Sequence, residues 1–104
     1  MRTKDHIDLG GFIEYNAGER VKKEVLKTDW FNVVLICLEE KQEIPPHPEP
    51  YAVLFQVLEG TGTITVGTER YNVKPNHVVF VPKDEVRGIA PRTRMSLLGL
   101  QQPH

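Results

Sequence analysis

Pro45-Pro46-His47-Pro48-Glu49-Pro50-Tyr51-Ala52-Val53-Leu54-Phe55-Gln56-Val57-Leu58-Glu59-Gly60 is the stretch on which the fold turns. Its first half is dense in proline, which has no backbone N–H to give to a sheet ladder. Ile44-Pro45-Pro46 therefore reads as a connection between strands. Residues 52–58 are apolar and rich in β-branched and aromatic side chains, as a strand requires. Glu59-Gly60 followed by Thr61-Gly62 lets the chain reverse, because glycine takes positive φ without steric cost.

Outward from this stretch the pattern repeats. The 8 glycines and 8 prolines punctuate short β-rich runs, the signature of a barrel or sandwich. Strands are expected over residues 62–66, 69–73, 78–81, 85–90 and 95–100. Thr63 and Thr65 alternate with Ile64 and Val66, and Val66-Gly67-Thr68-Glu69 reads as a hairpin turn. Upstream, residues 30–39 form the most apolar run and should be a central strand buried on both faces. Residues 20–28 mix lysines with Val21, Val25 and Leu26, as an exposed edge strand does to discourage aggregation. Residues 12–15 read as a further short strand closed by Asn16-Ala17-Gly18, and residues 4–11 as a helical turn or arm. The expected division is an N-terminal arm and first strand over 1–18 and a single barrel over 19–104. No long helical periodicity exists, which excludes a bundle or a doubly wound α/β fold. Closed barrels and jelly rolls are how many short antiparallel strands avoid exposed edges.

Bulk properties narrow the function classes. A chain of 104 residues and 11.9 kDa makes one domain. Its 39% hydrophobic and 26% charged residues are those of an ordinary globular protein. A net charge of −1 supplies no field to gather nucleic acid or an anionic membrane. Arg87, Arg92 and Arg94 could form a local basic patch or a solvated loop face. Cys37, alone in the chain, sits in an apolar run and behaves as a small hydrophobe. No apolar run nears ~18 residues, and the first residues lack signal-peptide order, so the cytoplasm is the expected compartment.

The spacing of particular residues resembles the cupin superfamily, over roughly residues 30–100. The first cupin motif, G-x5-H-x-H-x3-E-x6-G, falls on Lys41, His47, Glu49, Val53 and Gly60. The second, G-x5-P-x-G-x2-H-x3-N, falls on Asn76, Pro82, Asp84, Arg87 and Pro91. The resemblance implies an all-β double-stranded β-helix, a jelly-roll barrel, with His47, Glu49, Val53 and Arg87 converging at its mouth. It also implies a homodimer paired through the lysine-bearing first strand and the arm before it.

Of the ligands such a barrel uses for a divalent metal, only His47 survives. Glu49 stands for the second histidine, and a carboxylate can still bind a cation. Val53 stands for the carboxylate and coordinates nothing. Arg87 stands for the last histidine; guanidinium offers only donors and repels a cation. It suits a ligand carboxylate or phosphate, or else an internal ion pair with Glu49. Gln56 carries an amide that could serve a ligand, although strand alternation sets it opposite Val53, and cross-strand or dimer bonding is its plainer role. His77 reads as a solvated turn residue, His6 and His104 carry no signal, and Tyr51, Phe55 and Phe80 read as core or pocket wall. No nucleophilic triad order or phosphate loop is present.

The leading expectation is therefore a small-molecule-binding barrel for an anionic or carboxylated metabolite. Its ligand would be held by His47, Glu49, Gln56 and Arg87, with no resident cofactor and no nucleic-acid or membrane partner. One alternative is a metal-dependent enzyme of dioxygenase, isomerase or decarboxylase type, using Fe, Mn, Ni or Zn on His47, Glu49 and a non-standard ligand. The other is a purely structural or partner-binding barrel.

Overall fold

The computed structural model describes residues 5–104. Among them one 3-10 turn, Leu9–Gly11, precedes nine strands. These are β1 (Val21–Lys27), β2 (Asn32–Leu38), β3 (Ile44–Pro48), β4 (Val53–Glu59), β5 (Gly62–Val66), β6 (Glu69–Val73), β7 (Val78–Val81), β8 (Val86–Pro91) and β9 (Met95–Gln101). A five-stranded sheet in the order β1-β2-β9-β4-β7 faces a four-stranded sheet in the order β3-β8-β5-β6. Every pairing is antiparallel.

Alternation decides what lies between the sheets. Val34, Ile36 and Leu38 of β2, Val53, Phe55 and Val57 of β4, and Met95 and Leu97 of β9 point inward. They meet Ile64, Val73 and Ile89 from the other sheet. Each fully buried aliphatic side chain of this kind contributes about 1.5–3 kcal/mol through removal from water. β2 is buried on both faces, as its apolar run requires: Leu35 and Cys37, which point outward, are 0% exposed.

The N-terminal arm lies against Cys37 through the Glu14 backbone, and here one expectation is corrected. Residues 12–15 form no strand. The segment crosses the outer face of the large sheet, where side chains take the place of ladder bonds. Tyr15 donates to Glu59 of β4 (2.8 Å), Lys23 of β1 to Glu14 (2.7 Å), and Gln42 to the Asn16 carbonyl (2.7 Å). The Arg94 guanidinium sits 4.5 Å from the Tyr15 ring centroid and pairs with Glu39. Arg94 is thus an arm clamp, while Arg87 is buried, so the three late arginines form no common basic patch.

A second correction concerns Ile44-Pro45-Pro46, which opens strand β3 instead of bridging two strands. β3 lies at the edge of its sheet, where missing donors leave no neighbour unsatisfied. Its register with β8 breaks between Ile44 and His47, so the prolines occupy the irregular stretch. Ladder pairing resumes with His47 directly opposite Arg87.

Candidate functional site

That pairing places the two sequence motifs face to face. β3 and the turn after it deliver His47 and Glu49, β4 delivers Val53, and β8 delivers Arg87. All four line a cavity of about 580 Å³ at the barrel mouth. Ile36, Ile44, Phe55 and Ile89 form apolar wall, while Arg20, Lys22, Tyr51 and Gln101 add polar groups around it.

Gln56, the fourth expected ligand-binding residue, does not reach this space. It pairs with Val78 and Leu98 on the outer face of the large sheet. The ladder irregularity of β4 falls between Val57 and Glu59, beyond Gln56. The odd separation from Val53 therefore keeps the two on opposite faces. Phe80, expected in core or pocket wall, is 60% exposed on that outer face. His77 is an exposed turn residue as expected.

The Arg87 side chain is 4% exposed. Its Nε donates to the Glu85 carbonyl (3.2 Å), and Nη2 lies within bonding distance of the carbonyls of Glu85 (3.0 Å), Pro82 (3.2 Å) and Glu49 (3.3 Å). The guanidinium carbon sits 5.2 Å from the Tyr51 ring centroid. The remaining nitrogen, Nη1, is buried and has no hydrogen-bond partner. Arg87 meets the backbone oxygen of Glu49, so the ion pair considered between the two side chains does not form.

The Glu49 carboxylate instead meets His47 Nε2 at 2.9 Å, while His47 Nδ1 lies 2.8 Å from the Pro45 carbonyl. Both ring nitrogens thus face acceptors. A neutral imidazole can donate from only one, so both bonds are satisfied together when the ring is protonated. In that state two cations, His47 and Arg87, share the mouth with one carboxylate, and Lys22 and Arg20 stand at its rim.

Tyr51, expected as wall, has further contacts. Its ring stacks on His104 at 3.8 Å between centroids and lies against the Arg87 guanidinium. Burial, together with the nearby Glu49 charge, holds its hydroxyl above the ordinary phenol range, while Arg87 opposes the rise. Sequence reasoning missed His104, Gln101 and Lys22. Alternation could have placed Gln101 inward with Leu97, but nothing local marks the last residue of a chain as a stacking partner.

A divalent metal, which this fold implies, does not fit the donors present. The described residues contain no group of three His, Cys, Asp or Glu side chains able to hold one. A catalytic metal needs about three protein ligands; His47 and Glu49 supply two here, Val53 occupies the next position, and Arg87 opposes any cation.

A cupin domain family model matches residues 34–98, and the chain belongs to the cupin family. No curated protein sequence matches it significantly. Among solved structures it is similar to a protein from Thermus thermophilus, with 22% identity over 96% of this chain and 98% of that one and a TM-score of 0.88. A cupin superfamily protein from Desulfitobacterium hafniense covers 100% of both chains at 18% identity with a TM-score of 0.85. An RmlC-like cupin from Desulfovibrio desulfuricans matches over 99% of this chain and 97% of its own, at 21% identity and a TM-score of 0.80. Similarity at this identity speaks for the double-stranded β-helix alone. No helix among the described residues is long and apolar enough to cross a membrane.

Proposed function

We propose that this cupin binds a small anion, a carboxylate by preference, at the mouth cavity with Arg87 as its anchor. The observation that supports this most is the buried guanidinium whose Nη1 has no partner. A buried cation facing carbonyls but no counter-charge is costly, and an anion accepting from Nη1 would relieve both deficits at once. The apolar wall of Ile36, Val53, Phe55 and Ile89 suits the carbon skeleton attached to such a group. The His47 ring, whose Nε2 lies 2.9 Å from Glu49, adds a second hydrogen-bonding group, and Glu49 is free to exchange its bond to His47 for one to a ligand hydroxyl or amine.

A thermal-shift screen of carboxylates, inorganic phosphate and divalent metals tests this. A ligand at ~100 times its dissociation constant should stabilise the fold by about 2.7 kcal/mol. Anionic hits that disappear in Arg87→Met are the expected result; hits that survive the substitution would move the site elsewhere.

A metal-dependent enzyme is the second reading, favoured by one observation. Pro45 holds Nδ1 of His47, which would leave Nε2 available as a ligand if Glu49 swung aside. Elemental analysis separates the two: near-stoichiometric Fe, Mn, Ni or Zn, lost in His47→Ala, would replace the anion reading.

A further inference from the structure

One row on the inner face of the large sheet carries two amides where the rest of that face is apolar. Ladder register sets Asn32 of β2 opposite Gln101 of β9, and Gln101 opposite Val53 of β4. Their parity with Val34 and Leu97, both in the core, turns all three side chains inward. Asn32 and Gln101 are 5% and 6% exposed. Asn32 Oδ1 is buried without a hydrogen-bond partner. The Gln101 side chain lines the mouth cavity together with Arg87, and its amide makes no hydrogen bond among the described residues. Valine fills the third place in the row at no polar cost, whereas two unpaired amides beside it are expensive to bury.

We propose, resting on the anion reading above, that Gln101 selects acids that also carry a hydroxyl or amino group, with Asn32 as its positioning residue. Directly opposed residues on one face of an antiparallel ladder have Cβ atoms about 4.5–5.5 Å apart, so the two amides are within reach of each other. An amide oxygen such as Asn32 Oδ1 only accepts. Its other ladder neighbour, Lys27, is exposed, and drawing that ammonium inward would cost its hydration. Gln101 is left as the donor. A bond from its Nε2 to Asn32 Oδ1 needs a rotamer change and no shift of register, and it fixes the amide one way round, with Oε1 toward the cavity. The cavity then presents an acceptor at Gln101 and donors at Arg87. A matching ligand has a carboxylate for Arg87 Nη1 and an O–H or N–H for Gln101 Oε1. A plain acid leaves that oxygen against carbon, and an oxo acid sets two acceptors against each other.

Calorimetric titration of the full chain tests this with straight-chain acids of about three to six carbons, a size suited to a cavity of about 580 Å³. Each is used as the plain, hydroxy, amino and oxo compound. Hydroxy or amino acids should bind the wild type about 10-fold or more tightly than their plain and oxo counterparts. In Gln101→Met and Asn32→Leu that preference should fall to within about 2-fold, while the plain acids bind as before. A ratio of two ligands on one protein is insensitive to partial loss of folded material, and the wild-type series decides even where a variant does not fold. Binding that is lost in Arg87→Met yet equal for hydroxy, amino and plain acids would overturn this assignment and leave the anion reading standing. So would a preference for oxo acids, or one that survives Gln101→Met. A preference lost in Gln101→Met but kept in Asn32→Leu would reject the role given to Asn32. No binding by any acid, or binding indifferent to Arg87→Met, would overturn the anion reading and this one with it.

Discussion

Val53 and Arg87 stand where the family's metal motif has a carboxylate and a histidine, and their positions make the effect of that replacement testable. Val53 is 2% exposed and Arg87 4%, on neighbouring walls of one cavity with His47 and Glu49. Restoring a carboxylate and an imidazole there would bring the donor count to four. We therefore expect Val53→Glu combined with Arg87→His to acquire Zn²⁺ or Ni²⁺ binding detectable by calorimetry. Arg87→His alone should gain little, and Arg87→Lys should bind neither metal nor anion well, since a point charge loses the planar fork. Wild-type protein that binds these metals as tightly as the double variant would refute the argument. Motif spacing alone brings His47, Glu49 and Arg87 together. What spacing could not reveal was their pairing, because alternation fixes a face but not a rotamer. The Glu49 carboxylate is closest to its own neighbour His47, and Arg87 is drawn instead to three carbonyls.

At the scale of the elements, the backbone has kept what the side chains gave up. The family's glycine positions at Lys41, Asn76 and Asp84 hold the only non-glycine residues with positive φ among those described, at 76°, 75° and 67°. The turns retain a glycine conformation without the glycine, at a cost of strain. Lys41→Gly should stabilise the fold by about 1 kcal/mol, and Asn76→Gly and Asp84→Gly by less, because short polar side chains tolerate this region better. Urea midpoints at constant m-value would show it; a loss of stability at Lys41 would mean its side chain contributes more than its backbone strain removes. Gly60 is the opposite case. At φ 80° an added Cβ would fall on the Arg94 carbonyl, so Gly60→Ala should cost more than about 2 kcal/mol. Gly67, at φ 60°, would meet only the flexible Glu85 carboxylate, and Gly67→Ala should cost nearer ~1 kcal/mol. These turns were legible because glycine and its stand-ins sit at fixed intervals. β3 was not, since the rule that proline interrupts a sheet holds for inner strands and fails at an edge with a broken register.

For the whole molecule, the arm decides how much of the large sheet meets water, and its hold on the barrel is pH-dependent. The Tyr15 hydroxyl donates to a Glu59 oxygen that also accepts from Ser96 (3.2 Å). Burial first, and then the Glu59 carboxylate, push that hydroxyl up to about 12, although Ser96 opposes the rise. Because the folded value lies above the ordinary phenol value of about 10, losing the proton is harder in the folded state than in the unfolded chain. The stability this group contributes is complete below pH ~10 and is lost as pH rises toward about 12. Cys37 reports the event directly. It is 0% exposed beside the Glu14 backbone, and burial holds its thiol above the ordinary range. Its reaction with a thiol reagent should therefore be slow at about pH 8 and limited by opening of the arm. Tyr15→Ala should speed that labelling by at least about 10-fold, the factor equivalent to losing roughly 1.4 kcal/mol of local closure, while shifting the global melt only slightly. Tyr15→Phe should keep the ring against Arg94 and show a smaller fall in urea midpoint between about pH 9.5 and 11.5 than the wild type. Equal falls in the two proteins would mean that the hydroxyl does not hold the arm, and slow labelling in Tyr15→Ala would mean that something other than the arm covers the sheet.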